Sequence, residues 1–143
     1  MAIRPIHALE NEAADATARL PPLRIEYAHA GAADVLSRSD TLAVIGFGDT
    51  LPARDDPRWL RVRLRGEAPA PLEIWRTSGR VAHAREGDLA WAGDGDYAFV
   101  ALQVDEAGHG GIANAARHAY STLAQWSRHA TTPHFLRIWN YLD

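Results

Sequence analysis

Phe135, Arg137, Trp139 and Tyr141 recur at every second position of "HFLRIWNYLD" and would share one side of an extended strand. An arginine set among aromatic rings suits a small anionic ring as ligand. Its guanidinium fork can hold a carboxylate through two parallel hydrogen bonds while Trp139 and Tyr141 flank the ring. The same pattern equally suits an arginine that stacks on, or bridges to, an adjoining protein surface. On the other side lie Leu136, Ile138 and Leu142, with Asn140 expected to be a buried hydrogen-bonding group. Both sides are too apolar for water, so the stretch calls for burial on each.

Other candidates for chemistry are weaker. Arg61, Arg63 and Arg65 alternate with Leu60, Val62 and Leu64 in "RWLRVRLRG". That row could face an anion, but charged alternation along an exposed strand is also a common guard against aggregation. Seven histidines invite a metal hypothesis, yet no pair has the HExxH or His-x3-His spacing of a helical zinc site, and His118 and His129 fall far apart on one helix. No metal is expected. Asp94 and Asp96 in "AGDGDY" lack the further acidic positions of a calcium loop and read as a hairpin turn. "GFGDT" lacks the third glycine of a dinucleotide fingerprint, and no G-x-S-x-G elbow surrounds Ser37, Ser39, Ser78, Ser121 or Ser127. No acidic residue has a context that nominates it as a proton donor, so no catalytic residue is assigned.

Composition narrows the classes further. The 143 residues suffice for one domain with a real core. At 47% hydrophobic and 23% charged, the chain is globular rather than disordered. The net charge of −3 gives no reason to expect nucleic acid or an anionic membrane as partner. All fifteen basic residues are arginine, which excludes Schiff-base and P-loop lysine chemistry, and the lack of cysteine excludes thiolate nucleophiles and disulfides. There is no apolar run of signal-peptide or membrane-spanning type, so a cytoplasmic protein is expected.

The elements that must position these residues follow from periodicity. Residues 1–20 end in "LPPL" and read as a lead-in arm. Strands are predicted at "LRIEYAH", at "TLAVIGFG" with both faces buried, at "RWLRVRLRG", and at "LEIWRTSG" after a proline-rich loop. Glycine and aspartate turns then separate "RVAHARE", "DLAWAG" and "DYAFVALQVDE" as hairpin strands. From Gly111 to His129 the apolar residues Ile112, Ala115, Ala116, Ala119, Leu123 and Trp126 take helical spacing, and a strand over 134–143 closes the chain. The sum is an α+β domain with a mixed sheet and that helix packed on one face, holding Leu136, Ile138 and Leu142 beneath it. The side carrying Phe135, Arg137, Trp139 and Tyr141 is then left bare.

In order and character, "DLAWAGDGDYAFVALQVDE", "GIANAARHAYSTLAQW" and "HFLRIWNYLD" resemble the YjgF/RidA (chorismate-mutase-like) fold, in which bare sheet faces of three units meet in a central barrel. "LRIWNYL" is similar to a signature of the chorismatase family, and "LPPLRIEY" and "LAVIGFG" resemble that family's N-terminal half, so the likeness covers nearly all of the chain. Family members hydrolyse chorismate to pyruvate and either a dihydroxycyclohexadiene acid or a hydroxybenzoate, as in macrolide starter units and xanthomonadin pigments. The resemblance implies a YjgF-like domain over residues 21–143, forming the N-terminal half of a two-domain enzyme. A second YjgF-like half would carry the catalytic glutamate and cover the aromatic face. Arg137, Trp139 and Tyr141 are then the expected substrate-binding residues, no cofactor is implied, and these 143 residues alone would be inactive. Two alternatives stand beside this: a free-standing module that trimerises through the same face, and an imine deaminase of the RidA type.

Overall fold

The computed structural model describes residues 22–64 and 71–141. The expected N-terminal arm, Arg65 and Leu142 lie outside the described residues. Strand β1 (Leu23–Ala28) is followed by a short helix α1 (Ala32–Leu36), then β2 (Thr41–Phe47), β3 (Trp59–Val62) and β4 (Leu72–Thr77). These four strands form one sheet in the order β1-β4-β2-β3. β2 and β3 run parallel, and the other pairs are antiparallel. β2 is central because its TLAVIGF run has no polar face to show to water. Every residue of it but Phe47 is buried.

The two sides of this sheet are packed differently. On one, α1 lays Ala32, Val35 and Leu36 over Val44, Trp59, Leu72 and Ile74 to form the main core. Gly46 is needed there, since a Cβ at that position would stand 2.5 Å from the Trp59 ring and 2.7 Å from Leu51 Cδ1. Arg76 is buried at the margin of the same side and is neutralised by Asp40 at 3.2 Å and Glu26 at 3.2 Å. The opposite side presents Tyr27, Ile45, Phe47, Glu73 and Trp75, as the register shows: Tyr27 and Ile45 both stand opposite Glu73, and Ala43 opposite Trp75.

A second sheet, β5 (Ala82–Glu86), β6 (Leu89–Gly93) and β7 (Ala98–Leu102), is an antiparallel meander. Its first turn uses Gly87 at φ 59°. In its second, Asp94 Oδ1 accepts the backbone N–H groups of Asp96 and Tyr97, so the aspartates make the hairpin turn expected of them. The sheets meet where Leu42, Val81 and Ala92 pack together with Leu23, Trp75, Tyr97 and Phe99. Two sheets therefore replace the single one expected.

A 3-10 turn (Ala107–His109) and two left-handed glycines, Gly110 and Gly111, lead into helix α2 (Ile112–His129). The predicted helix is present at the predicted place, with Arg128 and His129 favourably placed at its negative end. Its apolar side is not sealed on a sheet, however. Ala115 is buried, while Ala119, Leu123 and Trp126 line a groove of about 1350 Å³ whose far wall includes Ile45 and Trp75. No helix among the described residues is long and apolar enough to cross a membrane.

The largest departure is at the end of the chain. Residues 130–141 form no strand. Alternation reports which residues seek burial, not which backbone they pair with, and here side-chain contacts replace a hydrogen-bonded ladder. Trp139 packs edge to face with Trp75, Tyr141 meets Phe47, and Tyr120 donates a hydrogen bond to Asn140 Oδ1 at 3.0 Å. The expectation that Leu136 and Ile138 pack beneath the helix is corrected in turn, since they are 78% and 47% exposed.

Candidate functional site

The C-terminal segment brings the residues singled out in the sequence over the open side of the first sheet. Trp139 and Trp75 pack edge to face, with centroids 5.5 Å apart and planes at 83°. Tyr141 and Phe47 do likewise at 6.4 Å and 73°. The Arg137 guanidinium lies 4.9 Å from the Trp139 ring centroid, a cation–π contact that holds the group by its face. Arg137 is exposed, so its guanidinium stays accessible from solvent. Phe135, by contrast, is 52% exposed and joins neither aromatic pair.

Beneath these residues sits a carboxylate that sequence reasoning passed over. Glu73 Oε2 accepts a hydrogen bond from the Tyr27 hydroxyl at 3.2 Å, and its Oε1 accepts one from Trp75 Nε1 at 2.6 Å. Two tyrosines register its charge. The Tyr27 phenol is raised above its ordinary value chiefly by the Glu73 carboxylate, with the Arg137 cation opposing. The Tyr141 phenol is raised first by burial and then by Glu73, again opposed by Arg137. Glu73, Tyr27, Tyr141 and Arg137 thus form one electrostatic group. Through these two accepted hydrogen bonds Glu73 orients the Tyr27 hydroxyl and the Trp75 indole. The signal was available: in β4, Leu72 and Ile74 point to the core, so Glu73 and Trp75 must share the other side.

Of the arginine row, Arg61 and Arg63 both line the groove, and Arg61 also donates to the Leu51 carbonyl at 3.0 Å, tying strand to loop. The histidines also regroup in space. His109 and His118 stack with ring centroids 4.6 Å apart, and with Asp88 they bring ligand atoms within 4.8 Å of one another. Sequence spacing missed this cluster because its members come from a hairpin turn, a 3-10 turn and a helix.

What this geometry can do is hold a flat anion: an exposed arginine braced on an indole, phenol hydroxyls beside it, and an apolar groove behind. The chain is 36% identical over 80 residues to a formamidopyrimidine-DNA glycosylase from Nocardioides sp. (strain ATCC BAA-499 / JS614), a stretch that covers 55% of this chain and 27% of that protein. The chain thus spans about a quarter of that relative's length. No solved structure matches it. Residues 73–143, from the half-buried carboxylate of β4 through the aromatic segment, match the family described as "Chorismatase FkbO/Hyg5-like, N-terminal". Through that region the chain belongs to the chorismatase family, as an FkbO/Hyg5-like N-terminal domain.

Proposed function

We propose that this chain provides the N-terminal, YjgF/RidA-like half of an enzyme that converts chorismate to pyruvate and a hydroxybenzoate or dihydroxycyclohexadiene acid. The observation that carries the reading is Arg137, held face-on by Trp139 at the rim of an apolar groove. Chorismate carries two carboxylates, one on its cyclohexadiene ring and one on the enolpyruvyl side chain. A guanidinium fork takes one of them, and Trp139 and Tyr141 border the ring. In the reaction an acid protonates the enolpyruvyl group, and water attack or ring rearrangement then releases pyruvate. That acid must keep its proton near neutral pH, which a dry pocket achieves by disfavouring the charged form. In keeping with the family likeness, that acid is assigned to a second YjgF-like half, joined or separate, that closes the groove and buries Phe135, Leu136 and Ile138.

A trimer of this chain alone is the second reading, favoured by the exposed Ile25 and Tyr27 on β1. The short likeness to a DNA glycosylase does not displace either reading, since a net charge of −3 and an apolar groove give a phosphate backbone little to hold. Calorimetric titration with chorismate, alongside a pyruvate-release assay, tests the proposal. The expected result is weak binding that Arg137→Met reduces about tenfold or more, a loss of the order of one charged hydrogen-bonded contact, with no pyruvate from the 143-residue chain. Turnover by this chain, or binding indifferent to Arg137, would overturn it. A homogeneous trimer by light scattering, without chorismate binding, would favour the second reading.

A further inference from the structure

We infer that Asp88, His109 and His118 form a binding site for a divalent transition-metal ion of zinc type, one that clips the start of α2 to the β5–β6 turn. The site lies apart from the Arg137 cluster, and the inference is independent of the proposed function.

Three observations converge on it. The first is the donor set: two imidazoles and one carboxylate whose ligand atoms all lie within 4.8 Å of one another, with His118 Nε2 at 3.4 Å from Asp88 Oδ2. Bonds of about 2.0–2.2 Å around a zinc-type ion place tetrahedral ligands roughly 3.3–3.5 Å apart. The remaining contraction is small for side chains that are partly exposed and free to turn. Two nitrogens and one oxygen favour zinc, nickel or copper over calcium or magnesium, which prefer all-oxygen sets.

The second observation is orientation. His109 Nδ1 lies 2.9 Å from the Asp105 carbonyl oxygen, a bond it can make only as an N–H donor. Its Nε2 therefore carries the lone pair a metal requires. A ring fixed through its other nitrogen by a backbone carbonyl is how metal-binding histidines are commonly held. The loop behind it is fixed in turn, because Asp105 Oδ2 accepts the Gly108 N–H at 2.7 Å.

The third is the backbone. Gly110 (φ 72°) and Gly111 (φ 113°) reverse the chain between the 3-10 turn and α2, which lays His109 against His118 with rings tilted by 32°. An ordinary His118–Asp88 ion pair would need neither this reversal nor a second imidazole. A clip also meets a need of the fold. Much of the apolar side of α2 faces the groove rather than a packed sheet, so an ion tying its first turns to Asp88 would set the position of that wall.

The test is calorimetric titration of Zn²⁺ into the chelator-stripped 143-residue chain, with Co²⁺ absorption as a spectroscopic readout. The expected outcome is one saturable equivalent, weakened at least about tenfold by His118→Gln, His109→Gln or Asp88→Asn, and unchanged by His129→Gln at the far end of the helix. Zinc should also slow amide exchange over residues 112–118 in the wild type and not in Asp88→Asn. Circular dichroism without metal checks that each variant folds. Asp88→Asn, on an exposed turn, supplies the decisive comparison if a histidine variant does not. No saturable binding, or binding undiminished in the His109→Gln/His118→Gln double variant, would overturn the inference.

Discussion

Truncation of Trp139 should release the C-terminal segment from the first sheet without unfolding it. The segment joins no ladder, and among the described residues it is held by side chains: the Trp75–Trp139 edge contact, the Phe47–Tyr141 contact and the Tyr120–Asn140 hydrogen bond. An edge-to-face pair of this geometry contributes about 0.5–1.5 kcal/mol beyond the area it buries. Trp139→Ala also removes the stacking partner of Arg137, which is worth about 0.5–1 kcal/mol at an exposed site. Because Arg137 and Trp139 belong to the same segment, only the indole pair counts toward docking, which weakens by about 0.5–1.5 kcal/mol, a factor of roughly 2–12 in the docking equilibrium. Amide hydrogen exchange over residues 136–141 reads that equilibrium directly, whereas the urea midpoint of the whole domain should move little. A cycle of Trp75→Leu, Trp139→Ala and the double variant isolates the pair, with an expected coupling near 1 kcal/mol. Additivity within about 0.3–0.5 kcal/mol would show that the two indoles do not hold each other, and the account of how Arg137 is positioned would fail with it.

Gly46→Ala should destabilise the domain by about 1–3 kcal/mol in urea denaturation, because its methyl group must displace a packed Trp59 ring and Leu51, and Trp59→Phe in the same chain should recover part of the loss. Acid should weaken the fold through Asp40, held low first by hydrogen bonds from Arg38, and through Asp56, which burial pushes up but hydrogen bonds from Arg58 pull down further. Both folded values lie below the 3.8 of the free group, so the stability they add is complete above that pH and is lost as pH falls through the folded values; Asp40→Asn should flatten the acid limb of a denaturation series. At the alkaline end, Tyr27 and Tyr141 should ionise above 10.0, and the stability linked to them is present below that pH and lost as pH rises through the folded values. In tyrosinate absorbance titrations, Glu73→Gln should lower the Tyr27 midpoint more than the Tyr141 midpoint, since Glu73 is the leading cause for the first and burial for the second.

Which parts of this molecule could be read from its sequence depends on whether the signal is local. β2 was legible because an unbroken apolar run has only one comfortable place, the centre of a covered sheet, and α2 because its apolar spacing persists over five turns. α1 was not, since a helix of five residues is too short to show a period. The division into two sheets was hidden because the turn after β4 and the turn after β5 carry similar polar residues, while only the second closes a hairpin. The same distinction governs the site. Arg137, Trp139 and Tyr141 declared themselves by type and alternation. Glu73 reads as a lone acid until the pairing of β4 with β1 and β2 places Tyr27 beside it, and Asp88, His109 and His118 meet only through the reversal at Gly110 and Gly111.

The closing segment shows why such a signal can be correct in substance and wrong in form. Its aromatic residues do seek an apolar surface, and two of them find one on their own sheet. Yet Tyr141 keeps 37% of its surface exposed, Phe135 more than half, and Leu136 most of it. A true strand would have satisfied backbone and side chains together; this segment satisfies half of its side chains, and its backbone enters no sheet ladder. Exposed apolar groups of that size, beside a groove wider than one small ring fills, are the surface that a second folded unit would stabilise by removing it from water. On the proposed reading, chorismate binding at Arg137 and the closure of that groove are expected to be coupled, each favouring the other by the same factor.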